Sequence, residues 1–146
     1  MITIGKLLES KGSDVWVITP DKSVYDAIEL MDSKNAGALA VVLDENLVGI
    51  ISERDYARKI VLKNRTSKDT KVKDIMTTHV FYISPEKTVD ECLVTMNERR
   101  VRHMPVVQDR RLVGMISVGD VVKEIIKEQQ YTIQHLENNI GWEEVY

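Results

Sequence analysis

The stretch Leu47-Val48-Gly49-Ile50-Ile51-Ser52-Glu53-Arg54-Asp55 returns 65 positions later as Leu112-Val113-Gly114-Met115-Ile116-Ser117-Val118-Gly119-Asp120. Each copy is an apolar, strand-like run broken by a glycine, followed by Ser-x-x-Asp and an apolar, helix-like segment. A hydroxyl and a carboxylate therefore stand at a helix start, where backbone N–H groups lack partners and can meet an anion.

The same offset aligns much more of the chain without a gap. It pairs Ile18 with Ile83, Pro20 with Pro85, Val24 with Val89, Met31 with Met96, Val41-Val42 with Val106-Val107, Ser52 with Ser117, and Asp55 with Asp120. Upstream, Ile4, Leu7 and Leu8 match Val72, Ile75 and Met76 only at an offset of 68, so the first copy has three extra residues between Glu9 and Asp14. That predicts an exposed loop at Ser10-Lys11-Gly12-Ser13.

Periodicity reads both copies alike. Val15 to Ile18 and Val80 to Ile83 are short strands that stop at a proline. Val24, Ala27, Ile28 and Met31, like Val89, Cys92, Leu93 and Met96, recur at the spacing of a helix with one buried face, and Ser23 and Thr88 stand where a cap belongs. Ala38 to Leu43 and His103 to Val107 are buried strands, and turns at Asp44-Glu45-Asn46 and Asp109-Arg110-Arg111 lead into the glycine-containing strands. The last helix of each copy starts near Ser52 or Ser117. The polar, basic segment from Lys63 to Lys73 reads as a surface connector.

The expected fold is α+β: two β-α-β-β-α repeats packed sheet to sheet with pseudo-twofold symmetry. The repeats span 1–66, including an N-terminal segment, and 67–128, with a helical extension over 129–146. Each unit has about 60 residues, a size at which a lone core is marginal, so the two are expected to bury their faces on each other. In the extension, Ile126, Ile133, Leu136 and Ile140 can share one helical face that ends at Gly141, covering its own module or contributing to a dimer.

Composition narrows the function. With 146 residues, 43 % of them hydrophobic, and a net charge of -3, the chain reads as a soluble globular protein without the basic surplus of a general nucleic-acid binder. Cys92 is alone and falls on the apolar face of a helix, so it reads as a buried structural thiol and asks for no oxidising compartment. Neither a secretory signal nor a membrane span is visible, which makes a cytoplasmic location the default and membrane association unexpected.

The pattern Thr/Ser-Pro-x-x-Ser/Thr-Val, a helix, an apolar strand and then Gly-h-h-Ser-x-x-Asp, present twice, resembles a tandem pair of cystathionine-β-synthase-type (CBS) domains, a Bateman module. The likeness runs from about Leu7 to Lys127, with no fused catalytic domain, as in stand-alone prokaryotic CBS pairs. Arg99-Arg-Val-Arg-His-Met-Pro-Val-Val fits the family pattern closely, whereas Asn35-Ala-Gly-Ala-Leu-Ala-Val-Val departs from it, lacking the basic residues and the proline.

The resemblance implies adenosine ligands in clefts between the repeats, with AMP first and ATP, ADP, NAD(H) or S-adenosylmethionine as alternatives. It also implies a homodimer of CBS pairs and a protein target that reads occupancy. Asp55 and Asp120 suit the ribose diol. Ser52, Arg54, Ser117, Arg102 and His103 suit the phosphate. Val17, Ile18, Thr19, Ile83, Ser84, Met104, Pro105 and Met115 would wall the adenine. The better site is expected to combine Arg102, His103 and Asp120.

Plainer readings stand beside these. Ser-x-x-Asp before a helix is also a capping box, in which the acid returns to the cap N–H. The arginines at 99, 100 and 102 also suit a solvated helix end. His79 and His135 lack companions at metal-ligand spacing, so no metal is expected. No phosphate-binding loop or nucleophile elbow occurs, and symmetric motifs suit two binding sites better than one catalytic centre, so the expectation is a non-enzyme. A structural dimerisation or scaffold module with vestigial clefts is the alternative.

Overall fold

The computed structural model describes residues 2–12 and 14–130. Its elements run α1 (Ile4–Lys11), β1 (Val17–Ile18), α2 (Val24–Lys34), β2 (Ala38–Leu43), β3 (Asn46–Ser52), α3 (Glu53–Lys59), a 3-10 turn (Val61–Lys63), α4 (Val72–Ile75), α5 (Val89–Arg99), β4 (His103–Gln108), β5 (Arg111–Ser117) and α6 (Val118–Glu128). Helices and strands are mixed as the repeat predicts. The extension with Ile133, His135, Leu136 and Ile140 lies outside the described residues.

Local chemistry explains the matching elements. Ser23 accepts from the Asp26 N–H at 3.0 Å and Thr88 from the Glu91 N–H at 3.1 Å, which starts α2 and α5. The helices bury Val24, Ala27 and Met31, or Val89, Cys92 and Met96. They end in left-handed residues, Asn35 at φ 51° and Arg100 at φ 54°. Two-residue turns, Asp44-Glu45 and Asp109-Arg110, have positive φ at both positions, the geometry that matches the twist of a tight hairpin.

The hairpins repeat to the residue. Ala38 pairs with Ser52 and Val41 with Gly49, while His103 pairs with Ser117 and Val106 with Gly114. The register slips between Val41 and Val42 in one and between Val106 and Val107 in the other. β1 adds in parallel to β2 through Val17–Ala40 and Ile18–Val41.

The strand expected over Val80 to Ile83 contracts to one bridge, Ile83 with Val106. The cause is Pro105, which stands where the first repeat has Ala40. The Ala40 N–H reaches the Trp16 carbonyl at 3.3 Å, whereas proline has no N–H to offer Phe81.

The cores do not follow the division at residue 66. Ile4, Leu7 and Leu8 of α1 are buried with Ile83, Val89, Met96, Met104 and Ile116, inside the second repeat. Val72 and Ile75 of α4 are buried with Ile18, Val24, Met31, Leu39 and Ile51, inside the first. Each repeat thus lends its leading helix to the other.

The stitching is symmetric. The Ile4 N–H meets the Lys87 carbonyl at 2.8 Å as the Val72 N–H meets that of Lys22 at 2.8 Å. Thr3 bridges Thr88 as Lys71 bridges Ser23. Two sequence expectations change accordingly. Ser10 and Lys11 belong to α1 rather than a loop, and the Lys63 to Lys73 connector is not all surface, because Thr70 and Val72 are buried.

Candidate functional site

Both Ser-x-x-Asp motifs are capping boxes. Asp55 Oδ2 accepts from the Ser52 N–H at 3.0 Å and the Ser52 hydroxyl at 3.1 Å, while the Asp55 N–H donates to Ser52 Oγ at 3.2 Å. In the second copy Asp120 Oδ2 accepts from the Ser117 N–H at 2.8 Å, and the Asp120 N–H donates to Ser117 Oγ at 3.1 Å. The motif therefore satisfies two N–H groups of each helix start internally, and Ser52 and Ser117 face their own helix before any ligand.

Each box also opens into a cleft walled by the other repeat. The first cleft, about 430 Å³, joins Ser52, Glu53, Arg54, Asp55, Arg58 and Thr77 to Arg100, Val101, Arg102 and His103. The second, about 390 Å³, joins Met115, Ser117 and Asp120 to Asn35, Ala36, Gly37, Ala38, Trp16 and Lys34, with Lys11 and Asp14 at its edge. The two sets are related by the 65-residue offset, so these are pseudo-twofold mates.

The carboxylates differ in their partners. Asp55 Oδ1 is 3.0 Å from Lys59 Nζ and accepts from Thr77 Oγ1 at 3.4 Å. The Thr77 N–H also donates to the Ile50 carbonyl at 2.9 Å. In the second cleft one side chain does both tasks: Lys11 Nζ donates to the Met115 carbonyl at 2.6 Å and to Asp120 Oδ2 at 2.5 Å. Met115 stands where Ile50 does, so the extra turn of α1 delivers an ammonium where Thr77, just past α4, delivers a backbone amide and a hydroxyl. Among the described residues no hydrogen bond is directed at Asp120 Oδ1.

Electrostatics follow from this packing. Burial pushes the Asp120 carboxyl up, but hydrogen bonds from Lys11 and the Ser117 N–H, with the Lys11 charge, outweigh it and hold the group below its ordinary value. Burial lowers His103 below the usual imidazole range, with Lys11 and Arg102 acting the same way against Asp120 and Glu53. A neutral His103 is therefore the resting form, and its bond to a phosphate would lack the charge assistance the sequence suggests. His103 lines both clefts and packs on Gly37, where an added Cβ would lie 3.1 Å from Nε2.

Other expected residues are distributed differently. Arg102 lines the cleft of Asp55, not that of Asp120, so the expected grouping of Arg102, His103 and Asp120 is divided between two sites. This follows from the swap: the helix-to-strand segment of each repeat faces the Ser-x-x-Asp of the other. Of the adenine-wall residues only Met115 lines the cleft of Asp55 or that of Asp120.

Ile18, Ile83 and Met104 are core side chains and Pro105 is buried. Val17, Ile18 and Thr19 line an outer groove of about 780 Å³ with Leu30 and Val42. Ser84 is half-buried and lines neither cleft. Ile18, Met104 and Pro105 sit on strands whose buried faces serve packing, and Ile83 joins them through its single bridge.

Periodicity does not single out Lys11, Trp16, Lys34, Arg58 or Arg100. Trp16 is the aromatic wall of the second cleft, and Lys34 Nζ lies 4.4 Å from its ring centre. The mate of that pair is Arg99 over Phe81 at 5.1 Å. A cation and an aromatic ring kept at the same offset are the one signal that marks Trp16 in the sequence.

Comparison with known proteins accords with this geometry. Residues 11–62 and 72–127 each match the family model of the CBS domain. The CBS domain-containing protein CBSX3, mitochondrial, of Arabidopsis thaliana is 42 % identical over 143 residues, which is 92 % of this chain and 69 % of the plant protein. The crystal structure of the CBS domain NE2398 superposes with a TM-score of 0.83 at 46 % identity, over 86 % of this chain and 99 % of that one. The CBS domain pair of protein MJ0100, crystallised with 5-methylthioadenosine and S-adenosyl-L-methionine, superposes with a TM-score of 0.79 at 23 % identity, over 88 % and 98 % of the two chains, a likeness of fold. Two matched domains, one swapped core each and two mated clefts lead to one assignment: the chain belongs to the CBS-domain family, as a tandem CBS pair.

Proposed function

We propose that the two clefts bind adenosine-containing ligands and that the chain is a regulatory module whose partner reads their occupancy. One observation carries the reading: each Ser-x-x-Asp aspartate sits in a cleft whose far wall belongs to the other repeat. A ligand held there bridges the repeats and favours one relative orientation, which shifts the population of surfaces offered to a protein target. The AMP unit, free or within ADP, ATP or NAD(H), is the ligand we assign, with Asp120 and Asp55 on the ribose. The module has no catalytic role in this reading, acts in the cytoplasm as a homodimer, and meets neither nucleic acid nor membrane.

Titration calorimetry with adenosine, AMP, ATP, NADH and S-adenosylmethionine tests it, on the parent and on Asp55→Asn with Asp120→Asn. Asparagine keeps an acceptor for the cap N–H and loses the charge. The parent should bind at least one compound, and a ligand at 100 times its dissociation constant adds about 2.7 kcal/mol, or several degrees in Tm. Affinity unchanged in the double variant would show that the aspartates do not hold the ribose. A second reading, a scaffold with vestigial clefts, is favoured by one observation: Lys59 and Lys11 already pair both carboxylates. It predicts no thermal shift with any of the five.

A further inference from the structure

We infer that the cleft of Asp55 is built for a chain of phosphates, gripped between Arg54 and Arg58 of the first repeat and Arg100 and Arg102 of the second. Its mate beside Asp120 then takes a nucleoside end that carries little charge. This rests on the adenosine reading, with Asp55 on the ribose of the same nucleotide, and adds that the two clefts select ligands of different charge.

The pseudo-twofold makes each cleft the control for the other. At the 65-residue offset, Arg54 corresponds to Gly119, Arg100 to Asn35 and Arg102 to Gly37. Three cations of one cleft are thus uncharged in its mate. The fourth, Arg58, corresponds to Lys123, which lines an adjoining hollow with Lys11, Asp120, Glu124 and Lys127, where two carboxylates face the three lysines.

Arg58 stands in the last turn of α3, where a helix end favours a cation, but folding does not account for Arg100 or Arg54. Arg100 sits at φ 54°, a left-handed position that asparagine adopts more readily and that the first repeat fills with Asn35. Arg54 lies in the first turn of α3, the end of a helix where a cation is least favoured. All four are exposed, and among the described residues none forms an ion pair.

Four guanidinium groups therefore face one cleft that offers only Glu53 and Asp55 in return, and Asp55 is already paired with Lys59. Their repulsion acts across the junction between the repeats. A polyphosphate, matched by the planar donor fork of arginine, removes that repulsion and ties one repeat to the other. An uncharged nucleoside leaves that repulsion in place.

The second cleft is balanced instead. Lys11 is held by Asp120 and the Met115 carbonyl, Lys34 lies over Trp16, and Asp14 adds a second carboxylate. The Trp16 face offers a platform for a base.

The test measures binding of adenosine, AMP, ATP and inorganic tripolyphosphate at matched ionic strength by calorimetry. It compares the parent with Arg54→Gly/Arg100→Asn/Arg102→Gly, in which one cleft copies the other. Arg54→Gln/Arg102→Gln is the second variant, free of added glycine, and is read the same way. In the parent, ATP and tripolyphosphate should bind more tightly than adenosine.

In the triple variant their affinity should fall at least about 100-fold, since each charge-assisted contact is worth roughly tenfold, while adenosine changes less than about threefold. ATP binding more tightly than tripolyphosphate identifies a nucleotide as the source of the phosphates, and equal affinities identify free polyphosphate. ATP affinity that both variants retain, or a parent that binds adenosine, AMP and ATP alike, overturns the phosphate assignment alone. No binding of adenosine, AMP or ATP by any of the proteins overturns the adenosine reading beneath it.

Discussion

Lys11 and His103 place opposite demands on the second cleft, and pH separates them. Asp120 is held below its ordinary value of 3.8, so its contribution to stability is fully present above that value and is lost as pH falls through the folded value. His103 is also lowered, from 6.5, because the fold favours its neutral form; its contribution is present above pH 6.5 and is lost on acidification through its own folded value. Lys11→Met should therefore flatten the stability curve below about pH 4, where carboxylates titrate. It should change neutral stability by no more than about 1 kcal/mol, since the pair is partly exposed. His103→Gln should flatten the limb just below pH 6.5 and leave the more acid one. Urea midpoints from pH 3 to 8 distinguish the two, and parallel curves for parent and variants would refute the assignment. Cys92 adds nothing to this range, because burial pushes its thiol up to about 11.

At the scale of elements, the glycines of the repeated motif record the swap. A Cβ on Gly49 would lie 2.7 Å from Met76 Sδ and 3.0 Å from the Thr77 carbonyl oxygen, and on Gly114 2.7 Å from Leu8 Cδ1. Met76 and Leu8 belong to the exchanged segments, so the glycine is where each repeat receives the other's helix. Gly49→Ala should destabilise by about 1–3 kcal/mol, the usual range for overpacking. Gly114→Ala should cost less, because it meets only a side chain, and Leu8→Ala should relieve that clash in a double-mutant cycle by urea denaturation. Additive effects of Gly114→Ala and Leu8→Ala would place the helix elsewhere. Elements whose signal lies within one repeat, such as the caps at Ser23 and Thr88 and the paired hairpins, are legible in the sequence. The Val80 to Ile83 strand is not, because its loss depends on an N–H that Pro105 lacks across the sheet. The cleft partners of Asp55 and Asp120 are not legible either, since they come from distant segments, from Thr77, 22 positions from Asp55, to Lys11, 109 positions from Asp120.

For the molecule as a whole, the exchange makes two small domains into one cooperative body. Neither half of the chain holds a complete core: 1–66 carries Ile4, Leu7 and Leu8 for the second repeat, and the remainder carries Val72 and Ile75 for the first. Each such side chain contributes about 1.5–3 kcal/mol when fully buried, so detaching α1 or α4 removes an amount comparable to the stability of a small domain. A protease site placed between Asn64 and Arg65, in the connector, should therefore be cleaved without separating the halves. The nicked protein should elute as the intact one does in native size exclusion and come apart only in denaturant. Fragments 1–66 and 67–146 made separately should each lack a cooperative transition and recover one when mixed. Halves that part in native buffer, or that fold alone, would mean that the exchanged helices are dispensable, and would leave the two clefts without the rigid junction that the proposed bridging by one ligand requires.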